Sequence, residues 1–560
     1  DHPLVSTNVK CLTVDNSGTI WIGFYGDGLF YSKDELKTLH PYISPIDNEE
    51  TYNNDVVSEI LPGAYNCLYI GSLKGGVKEL NLTSGKLRDL LLKDEDNESI
   101  YCRTLLFATD NELWIGTESG AYIYNLRTGK YTHLRSSEYD PYSLSDNAIY
   151  SFCKDREDGI WIGSYFGGVN YYPRSYTHFE KYYPKGEENS LHGKRVREFC
   201  RDNYGVLWIG TEDGGLNRFN LNTKEFSFFA PSAGFTNIHG LCLVDDKLWV
   251  GTFSKGLKII DTRTGTVLKT YQKNSSPRSL IDNSIFAICR TATGDIYLGT
   301  MFGLVKYNKQ SDDFDRIPEL NGKFVYDIKE DSGGNIWLAT YANGAYCYNV
   351  NDRKWKNYVH DEKDTTSLSY NKVSSIFEDS YHRIWLTTQG GGFCLFHPES
   401  ETFTSYNSTD GLPSDVVYQI VEDKDGQLWL TTNNGLVYFQ PKTETMKVYT
   451  TANGLLGDQF NYRSSFEDEN GMIYFGGIDG FIAFNPKSFS ENKNLPTVVI
   501  TDFLLFNKEV YADEPNSPLE KNITFSDKIV LRADQNSFSF RISALGYQAP
   551  GMNKLMYKLE

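Results

Sequence analysis

The hydrophobic and polar positions of this chain repeat as one unit eleven times. Each unit has a run of β-branched and aromatic residues, a turn built on Asp and Gly, and an aromatic anchor in a Trp-Ile-Gly-like triplet. A glycine-containing connection and a short aromatic run follow. Short alternating runs between turn residues predict several antiparallel strands per unit. The anchors lie 40 to 48 residues apart and are Trp21, Tyr69, Trp114, Trp161, Trp208, Trp249, Tyr297, Trp337, Trp385, Trp429 and Tyr474.

One unit, residues 147–183, illustrates the pattern. Its predicted strands are 148–153, 160–163, 169–172 and 178–182, with an Asp-Gly turn between the first two. Four short strands cannot bury both faces alone, whereas units stacked around an axis bury them against each other. The repeat length is that of one propeller blade. The sequence therefore predicts an all-β protein of tandem β-propellers with four-stranded blades.

The repeats stop after the unit of Tyr474, which has three predicted strands and no fourth-strand pattern. We expect a strand from elsewhere in the ring to complete this blade, because such closure removes an exposed edge. The unit therefore marks the last blade of a ring. Beyond Pro496, short alternating runs such as residues 537–542 predict strands of a β-sandwich.

Composition narrows the classes of function. The net charge of −18 argues against a nucleic-acid partner, which needs clustered Lys and Arg. No window has the roughly 20 apolar residues of a membrane-spanning helix, and the first residues lack a signal-peptide pattern. Cysteines number nine, and four of them occupy matching places before their anchors, which predicts buried, unpaired core residues: Cys153, Cys200, Cys242 and Cys289.

The sequence shows no catalytic or metal-binding constellation. The Asp-rich turns are too short for a calcium loop, which needs ligands at alternate positions over about twelve residues. The nine histidines include no pair at ligand spacing. Carboxylates recur once per unit in turns, whereas a catalytic pair would be unique. We expect no enzymatic activity, no cofactor and no metal in this segment.

Variable positions in the constant repeat are the candidate binding residues. Just past the first-strand aliphatic residue of the last seven units, the residue type changes from unit to unit. If first strands line the axis, these side chains surround one mouth of the channel. Aromatic faces with Arg and His donors suit a sugar, while the alternative is that they only fill the channel. The residues are Arg197, His239, Phe286, Tyr326, Ser374, Tyr418 and Arg463.

A second candidate set follows the anchors, in the connections between second and third strands. Its aromatic members Tyr165, Phe166 and Tyr341 predict a platform for a ligand, for another propeller or for a second protomer. Packing between propellers remains the alternative for these residues.

The order of these motifs carries a resemblance. The unit Asp-x-x-Gly-x-Ile-Trp-Ile-Gly resembles the regulator-propeller repeat of hybrid two-component sensors, which are abundant in carbohydrate-degrading gut Bacteroidetes. The end of the chain resembles the three-tyrosine Ig-like domain that follows the propellers there. That match rests on residues 496–500, 544–547 and 557–560. Members of this family typically have two seven-bladed propellers before the Ig-like domain.

The resemblance implies a division into three parts. Residues 1–185 are expected to form the last four blades of a first propeller, 186–488 a second seven-bladed propeller, and 489–560 the start of the Ig-like domain. Compared with the family, three blades, the rest of the Ig-like domain and the membrane, kinase and regulator parts are absent. We therefore expect a fragment of a longer protein.

The resemblance also implies a function. We expect the periplasmic part of an inner-membrane sensor, which binds a glycan-derived oligosaccharide. It is expected to signal, as a homodimer formed through its C-terminal region, to a kinase and transcriptional regulator outside this segment. The competing interpretations are a propeller scaffold that binds protein without sugar and a propeller lyase or hydrolase.

Overall fold

The computed structural model describes residues 8–44, 55–173, 179–186, 189–489 and 496–547, with Met556 and Lys558. The chain divides into two compact units, one of Asp1–Ser175 with Asn492–Glu560 and one of Tyr176–Glu491. No helix among the described residues has the length and apolarity to cross a membrane. The helices in this part of the chain are short 3-10 turns: Ala230–Gly234, Pro318–Leu320, Ser408–Asp410, Thr451–Asn453, Pro486–Ser488 and Ile523–Phe525.

Four antiparallel sheets of the first unit form what we call the arc. Three have four strands in sequential order, and the fourth has three, β13-β14-β15. Their first strands are neighbours in the order β1, β5, β9 and β13. The strands are β1 (Val9–Val14), β2 (Ile20–Phe24), β3 (Leu29–Ser32), β4 (His40–Pro41), β5 (Val57–Pro62), β6 (Cys67–Ser72), β7 (Gly76–Asn81), β8 (Leu87–Leu91), β9 (Cys102–Thr109), β10 (Glu112–Thr117), β11 (Gly120–Asn125), β12 (Tyr131–Leu134), β13 (Ile149–Lys154), β14 (Ile160–Ser164) and β15 (Val169–Tyr172).

Seven four-stranded antiparallel sheets of the second unit form what we call the ring. The strands are β16 (Glu180–Tyr182), β17 (Val196–Arg201), β18 (Val206–Thr211), β19 (Leu216–Asn220), β20 (Phe226–Phe228), β21 (Ile238–Val244), β22 (Lys247–Thr252), β23 (Leu257–Asp261), β24 (Val267–Tyr271), β25 (Ile285–Arg290), β26 (Ile296–Thr300), β27 (Gly303–Asn308), β28 (Asp313–Arg316), β29 (Val325–Glu330), β30 (Ile336–Thr340), β31 (Ala345–Asn349), β32 (Lys354–Tyr358), β33 (Val373–Glu378), β34 (Ile384–Thr388), β35 (Phe393–His397), β36 (Thr402–Tyr406), β37 (Val417–Glu422), β38 (Leu428–Thr432), β39 (Leu436–Gln440), β40 (Thr445–Tyr449), β41 (Phe460–Glu467), β42 (Ile473–Gly477) and β43 (Phe481–Phe484).

The ring closes through a strand from its own beginning. The first strand of each ring sheet neighbours the first strand of the following sheet. In the seventh sheet this strand is β41, and it neighbours β17 of the first sheet. The seventh sheet has the order β16-β43-β42-β41, with Glu180 opposite Ala483. The outer strand expected for the last blade is therefore supplied by residues 180–182. The sequence assigned residues 178–182 to the fourth strand of the Trp161 blade, and that assignment is wrong; His178 itself lies outside the described residues.

This pairing moves the division between the units. Residues 179–185 belong to the unit of the ring, whereas the sequence placed the boundary between 185 and 186. The third strands β15 and β43 both present an edge to a fourth strand, and β16 pairs with β43. The sequence pattern of a strand does not reveal its partner.

A three-stranded antiparallel sheet, β45-β44-β46, follows the ring in the chain. Its strands are β44 (Thr497–Leu505), β45 (Lys508–Glu509) and β46 (Phe538–Leu545). Phe503, Leu519 and Ile523 form its small buried cluster. The assignment of this region to an Ig-like domain stays a prediction, and three residues of its last motif, Tyr557, Leu559 and Glu560, lie outside the described residues.

In six blades, an Asp of the turn after the first strand accepts the indole N–H of the anchor tryptophan. Asp202 Oδ1 accepts the backbone N–H groups of Tyr204 and Val206, at 2.9 and 3.0 Å. Its Oδ2 accepts Trp208 Nε1–H at 2.8 Å. A buried indole N–H without an acceptor is costly, so the Asp six residues before the anchor stabilises turn and core together. The same bond joins Asp15 to Trp21, Asp155 to Trp161, Asp331 to Trp337, Asp379 to Trp385 and Asp423 to Trp429.

The core is a series of apolar clusters between adjacent sheets. One cluster joins Trp249 of the second ring sheet to Leu280, Ile285 and Leu298 of the third. The glycine of the anchor triplet allows this approach, because a Cβ on Gly210 would lie 2.6 Å from Ile238 Cγ2 of the next sheet. The repeated glycine is therefore a packing residue.

All nine cysteines lie in the described residues and are free thiols. Cys153, Cys200, Cys242 and Cys289 stand opposite their anchors, as their matching sequence places predict. The three ring cysteines are partly buried, but Cys153 is exposed, which corrects the expectation of a core position. Cys153 lies on β13, which is the first strand of the last arc blade. Burial raises the pKa of the Cys289 thiol to about 11.

Candidate functional site

A β-bulge in each first strand of the ring aims one side chain at the axis. In the first sheet, Val196 pairs with Thr211 and Glu198 with Gly210, so Arg197 lies between two pairs. Such a bulge re-aims the extra residue. The same irregularity recurs in the next five sheets. The bulged residues are Arg197, His239, Phe286, Tyr326, Ser374 and Tyr418, six of the seven that the sequence predicts at this level.

The seventh sheet departs from this rule, and the predicted equivalence of Arg463 is wrong. Phe460 pairs with Gly477 and Ser465 with Phe475, so residues 461–464 stand opposite Gly476 alone. This enlarged bulge places Arg463 at φ 54°, a left-handed conformation uncommon for arginine. The position that matches Val196 and Val373 is Phe460. Counting residues back from Tyr474 therefore selected Arg463, whose position in its sheet does not match the bulged positions of the other blades.

Arg463 crosses the centre of the ring. Its Nη1 donates to the carbonyl oxygens of Phe286, at 3.0 Å, and Tyr326, at 3.4 Å. Its Nε lies 3.1 Å from Asp327 Oδ1 and 3.7 Å from Glu198 Oε1. The guanidinium thus joins the last blade to the first, third and fourth. In this role Arg463 is a plug of the channel and is not available to a ligand.

Arg197 is also committed to the protein. It is fully buried, and its Nε donates to His239 Nδ1 at 3.2 Å. Its Nη1 donates to the carbonyl oxygen of Tyr462, and its guanidinium lies 3.4 Å from the centroid of the Tyr462 ring. Glu212 Oε1, 3.8 Å from Nε, supplies the nearest carboxylate. For Arg197, filling of the channel is the better interpretation.

Burial controls the ionisation of Glu198 and His239. It raises the pKa of the Glu198 carboxyl to about 7, although Arg463 and Arg197 act in the opposite direction. Burial, together with the Arg197 cation, lowers the pKa of His239 well below 6.5. His239 is therefore a neutral ring at physiological pH, and its Nδ1 accepts the bond from Arg197.

Aromatic rings, including that of His239, form a continuous row at one end of the ring. His239 lies 4.6 Å from Phe286, which lies 4.5 Å from Phe324. The row continues through Phe324 and Tyr326, stacked at 4.7 Å. We define the mouth as this end of the ring, with the aromatic row of Phe253, His239, Phe286, Phe324, Tyr341, Tyr326, Tyr462 and Tyr418.

Two members of the row are well exposed. Tyr341 is 42% exposed and Phe253 40%, whereas Phe286 and Tyr326 are buried beneath them. Tyr341 stacks with Phe324 at 5.4 Å and an interplanar angle of 20°. The ammonium of Lys372 lies 4.3 Å from its centroid, and Glu212, partly buried, accepts Asn461 Nδ2–H at 3.4 Å. An aromatic surface with a few fixed polar groups is the composition of a small-molecule site.

Tyr165 and Phe166 belong to the arc and are not members of this row. They are 59% and 88% exposed, and their centroids are 4.4 Å apart. Tyr165 stacks on Tyr150 at 5.0 Å, and the Arg103 guanidinium lies 4.9 Å from the Tyr150 ring. The predicted exposed platform is therefore a compact cluster of three aromatic side chains at the last blade of the arc.

Sequence reasoning missed several residues of the mouth. Phe324 and Lys372 directly precede the first-strand aliphatic residues Val325 and Val373. The residue before each first-strand aliphatic residue was therefore a further candidate position for the mouth. Tyr462 was missed because the enlarged bulge shifts the repeat. The longer interval between Phe460 and Tyr474, 14 residues in place of the usual 12, was the available warning.

Comparison with known proteins agrees with this architecture. The family described as two component regulator propeller matches residues 143–166, 190–213, 319–342, 367–390 and 411–434. Each matched segment runs from the connection before a blade to the loop after its anchor. Both the arc and the ring contain such repeats.

Two similar proteins cover larger parts of the chain. Histidine kinase P4 of Formosa agariphila is 28% identical over 332 residues, which are 57% of this chain and 24% of that protein. The extracellular domain of the putative hybrid two component system BT3049 from B. thetaiotaomicron superposes with a TM-score of 0.72 at 24% identity, covering 98% of this chain and 77% of that one. The chain spans about a quarter of the length of the curated relative that it matches. It carries two-component regulator propeller repeats and has the fold of the extracellular domain of a hybrid two-component system.

Proposed function

We propose that this chain is the extracytoplasmic sensing region of a hybrid two-component sensor and binds a glycan-derived oligosaccharide at the mouth of the ring. The observation that carries the ligand proposal is the continuous aromatic row with its two exposed members, Tyr341 and Phe253. The sensor role is supported by the matched repeats and by the similarity to a histidine kinase. The kinase and regulator to which it signals, and the periplasmic location, belong to this proposal.

The chemistry of the mouth favours a sugar over other ligands. Sugar C–H faces stack on aromatic rings, while hydroxyl groups need both donors and acceptors. Tyr341 and Phe253 offer faces, Lys372 offers a donor and Glu212 an acceptor. Arg463 is held by internal carboxylates and carbonyl groups, and Arg197 is fully buried against His239 and Tyr462.

A thermal-shift screen against a glycan library tests this proposal. An oligosaccharide that binds the folded state raises the melting temperature by mass action. We expect Tyr341→Ala to abolish the shift, because it removes the exposed stacking face. Tyr204→Ala is the matched control: Tyr204 is 53% exposed in the turn at the other end of its blade, and its loss leaves the shift unchanged.

The outcomes separate the candidate functions. No shift with any glycan contradicts sugar binding by this segment, and a shift that survives Tyr341→Ala contradicts the mouth as its site. Release of a shortened product from a glycan would indicate the lyase or hydrolase alternative. The scaffold alternative is favoured by the exposed cluster of Tyr150, Tyr165 and Phe166 in the arc. Signalling through a homodimer remains part of the proposal and is tested by sedimentation with and without the shifting glycan.

A further inference from the structure

The connections between second and third strands divide the mouth into two unlike halves. In the second, third and fourth ring sheets each connection carries an exposed aromatic residue: Phe253 is 40% exposed, Phe302 52% and Tyr341 42%. The connections of the other four ring sheets contain no aromatic residue. They begin with Glu212, Gln389, Asn433 and, in the seventh sheet, Ile478 followed by Asp479. Three consecutive blades therefore give the mouth an aromatic half that faces a mainly polar one.

The aromatic half is fixed by backbone hydrogen bonds. Phe253 N–H donates to the carbonyl oxygen of Asn237 at 3.0 Å, and Tyr341 N–H to that of Phe324 at 3.0 Å. The third sheet has the same bond, at 3.2 Å. Each bond ties the start of the connection to the residue before the first strand. The backbone that carries the exposed rings is therefore preorganised, which lowers the entropic cost of binding.

Ring-to-ring contacts join the two ends of this half. Phe253 lies 6.2 Å from Phe286. Phe286 lies 4.5 Å from Phe324, which lies 5.4 Å from Tyr341. Each of these three steps between centroids is comparable with the length of one sugar ring. A ligand that contacts both Phe253 and Tyr341 therefore needs three consecutive sugar rings.

The channel below the row is closed to a sugar. Phe286 and Tyr326 are only 3% and 6% exposed. Beneath them Arg463 crosses the centre, bound to the carbonyl oxygen of Phe286 and paired with Asp327. A ligand therefore lies across the mouth and does not enter the channel end-on.

A sugar chain in this orientation matches both halves of the mouth. Its C–H faces stack on the exposed aromatic rings, and its hydroxyl groups reach the polar connections. The Tyr341 end has a donor of its own, because the ammonium of Lys372 lies 4.3 Å from the Tyr341 centroid. The Phe253 end offers a ring face without such a close cation among the described residues.

We propose that the mouth binds a chain of at least three sugar units that lies across the second to fourth ring sheets, with Tyr341 at one end and Phe253 at the other. This inference rests on the proposed binding of an oligosaccharide at the mouth, and adds the length and direction of that ligand. Tyr341, with Lys372 beside it, makes the contact that a ligand of any length uses. Phe253 contacts only a ligand that extends to the third unit.

A length series tests the proposal. The probes are neutral malto-, cello- and xylo-oligosaccharides, from monosaccharides to hexasaccharides, with any glycan that raises the melting temperature in the library screen. Calorimetric titration of the whole chain gives the affinity for each length in wild type, Phe253→Ala, Phe253→Tyr and Tyr341→Ala. Tyr381→Ala is the matched control, since Tyr381 is 61% exposed in the turn at the opposite end of the fifth ring sheet.

We expect the affinity of the wild type to rise at least tenfold from the disaccharide to the trisaccharide of the series that binds. Phe253→Ala loses this gain and binds both lengths equally, whereas Phe253→Tyr and Tyr381→Ala retain it. Tyr341→Ala loses binding at every length. An unchanged melting curve without ligand shows that a variant is folded, and Phe253→Leu, apolar but without a ring, replaces Phe253→Ala if the latter does not fold.

The outcomes distinguish this inference from the proposed function. If the disaccharide binds as tightly as the trisaccharide, or if Phe253→Ala keeps the gain, the inference is overturned while the Tyr341-dependent site at the mouth stands. Absence of binding to the wild type at every length overturns both.

Discussion

The ring and the arc are built from the same repeat but differ in how well their blades are buried. In the ring, β29 buries Val325, Tyr326, Asp327 and Ile328. In the arc, β1 leaves Val9, Leu12 and Val14 between 50% and 56% exposed. The arc strands β5 and β9, which have a neighbour on each side, are far more buried than β1. Burial of a blade is thus a property of its neighbours, because each face is covered by the adjacent sheet.

The anchors show the same contrast. Trp208 of the ring is fully buried, whereas Trp161 of the last arc blade is partly exposed. Both donate their indole N–H to an Asp six residues earlier, at 2.8 and 3.0 Å. An identical local motif therefore has two energetic environments in one chain. The effect of a substitution in the ring can therefore be compared with that of a substitution at a more exposed site of the same chain.

The largest effect is expected at the centre of the ring. Arg463→Ala leaves the Glu198 and Asp327 carboxylates buried without their shared cation, which costs about 3 to 5 kcal/mol of unfolding free energy. The arc has no described counterpart of this plug. Chemical denaturation followed by tryptophan fluorescence measures the loss. Arg541→Ala removes an exposed ion pair with Glu509 and should leave the transition unchanged; equal effects would contradict the assigned role of Arg463.

The next effect depends on pH. Because the pKa of Glu198 is raised to about 7 from 4.5, its ionisation destabilises the folded state, and stability is lost as pH rises from about 4.5 through 7. Glu198→Gln removes this dependence. We expect the variant to gain up to about 3 kcal/mol relative to wild type between pH 4.5 and 8. Denaturation of both proteins across this range measures the difference in their unfolding free energies. A difference that does not change with pH would mean that Glu198 ionises near its ordinary pKa of 4.5.

The tryptophan acceptor allows a direct comparison of ring and arc. Asp202→Ala leaves the buried Trp208 N–H and two turn N–H groups without their acceptor, at a cost of about 2 kcal/mol. Asp155→Ala should cost less than about 1 kcal/mol, because water reaches the partly exposed Trp161. Paired denaturation curves measure both losses. Equal losses would mean that the acceptor acts on the turn alone.

The smallest difference is expected at the anchor glycine. Gly210→Ala puts a methyl group 2.6 Å from Ile238 Cγ2 of the next ring sheet, an overpacking that costs about 1 to 2 kcal/mol. In Gly163→Ala of the arc, the nearest atom is Ser151 Oγ of the same blade, which can rotate away. Thermal melting of the two variants should therefore show a shift for the first and little change for the second.

Much of this architecture was readable from the repeat, and the failures have physical causes. The blade period, the missing outer strand after Tyr474 and six bulged positions are local patterns, so sequence predicted them. The partner of residues 180–182 was not predictable, since any free sheet edge accepts a strand of that pattern. Arg463 was misplaced because an enlarged bulge changes the spacing without changing the residue types on which the repeat was aligned.

By itself the sequence determined the blade: alternation specified the strands, Asp and Gly the turn, and the aromatic anchor the core position. The tertiary structure decided which of the variable residues remain accessible. Arg197 and Arg463 have the chemistry of ligand donors, but charges taken out of water must be paired, and both are occupied by protein groups. Tyr341 stays exposed on the stacked row, because only the packed ring defines which atoms lie next to each other.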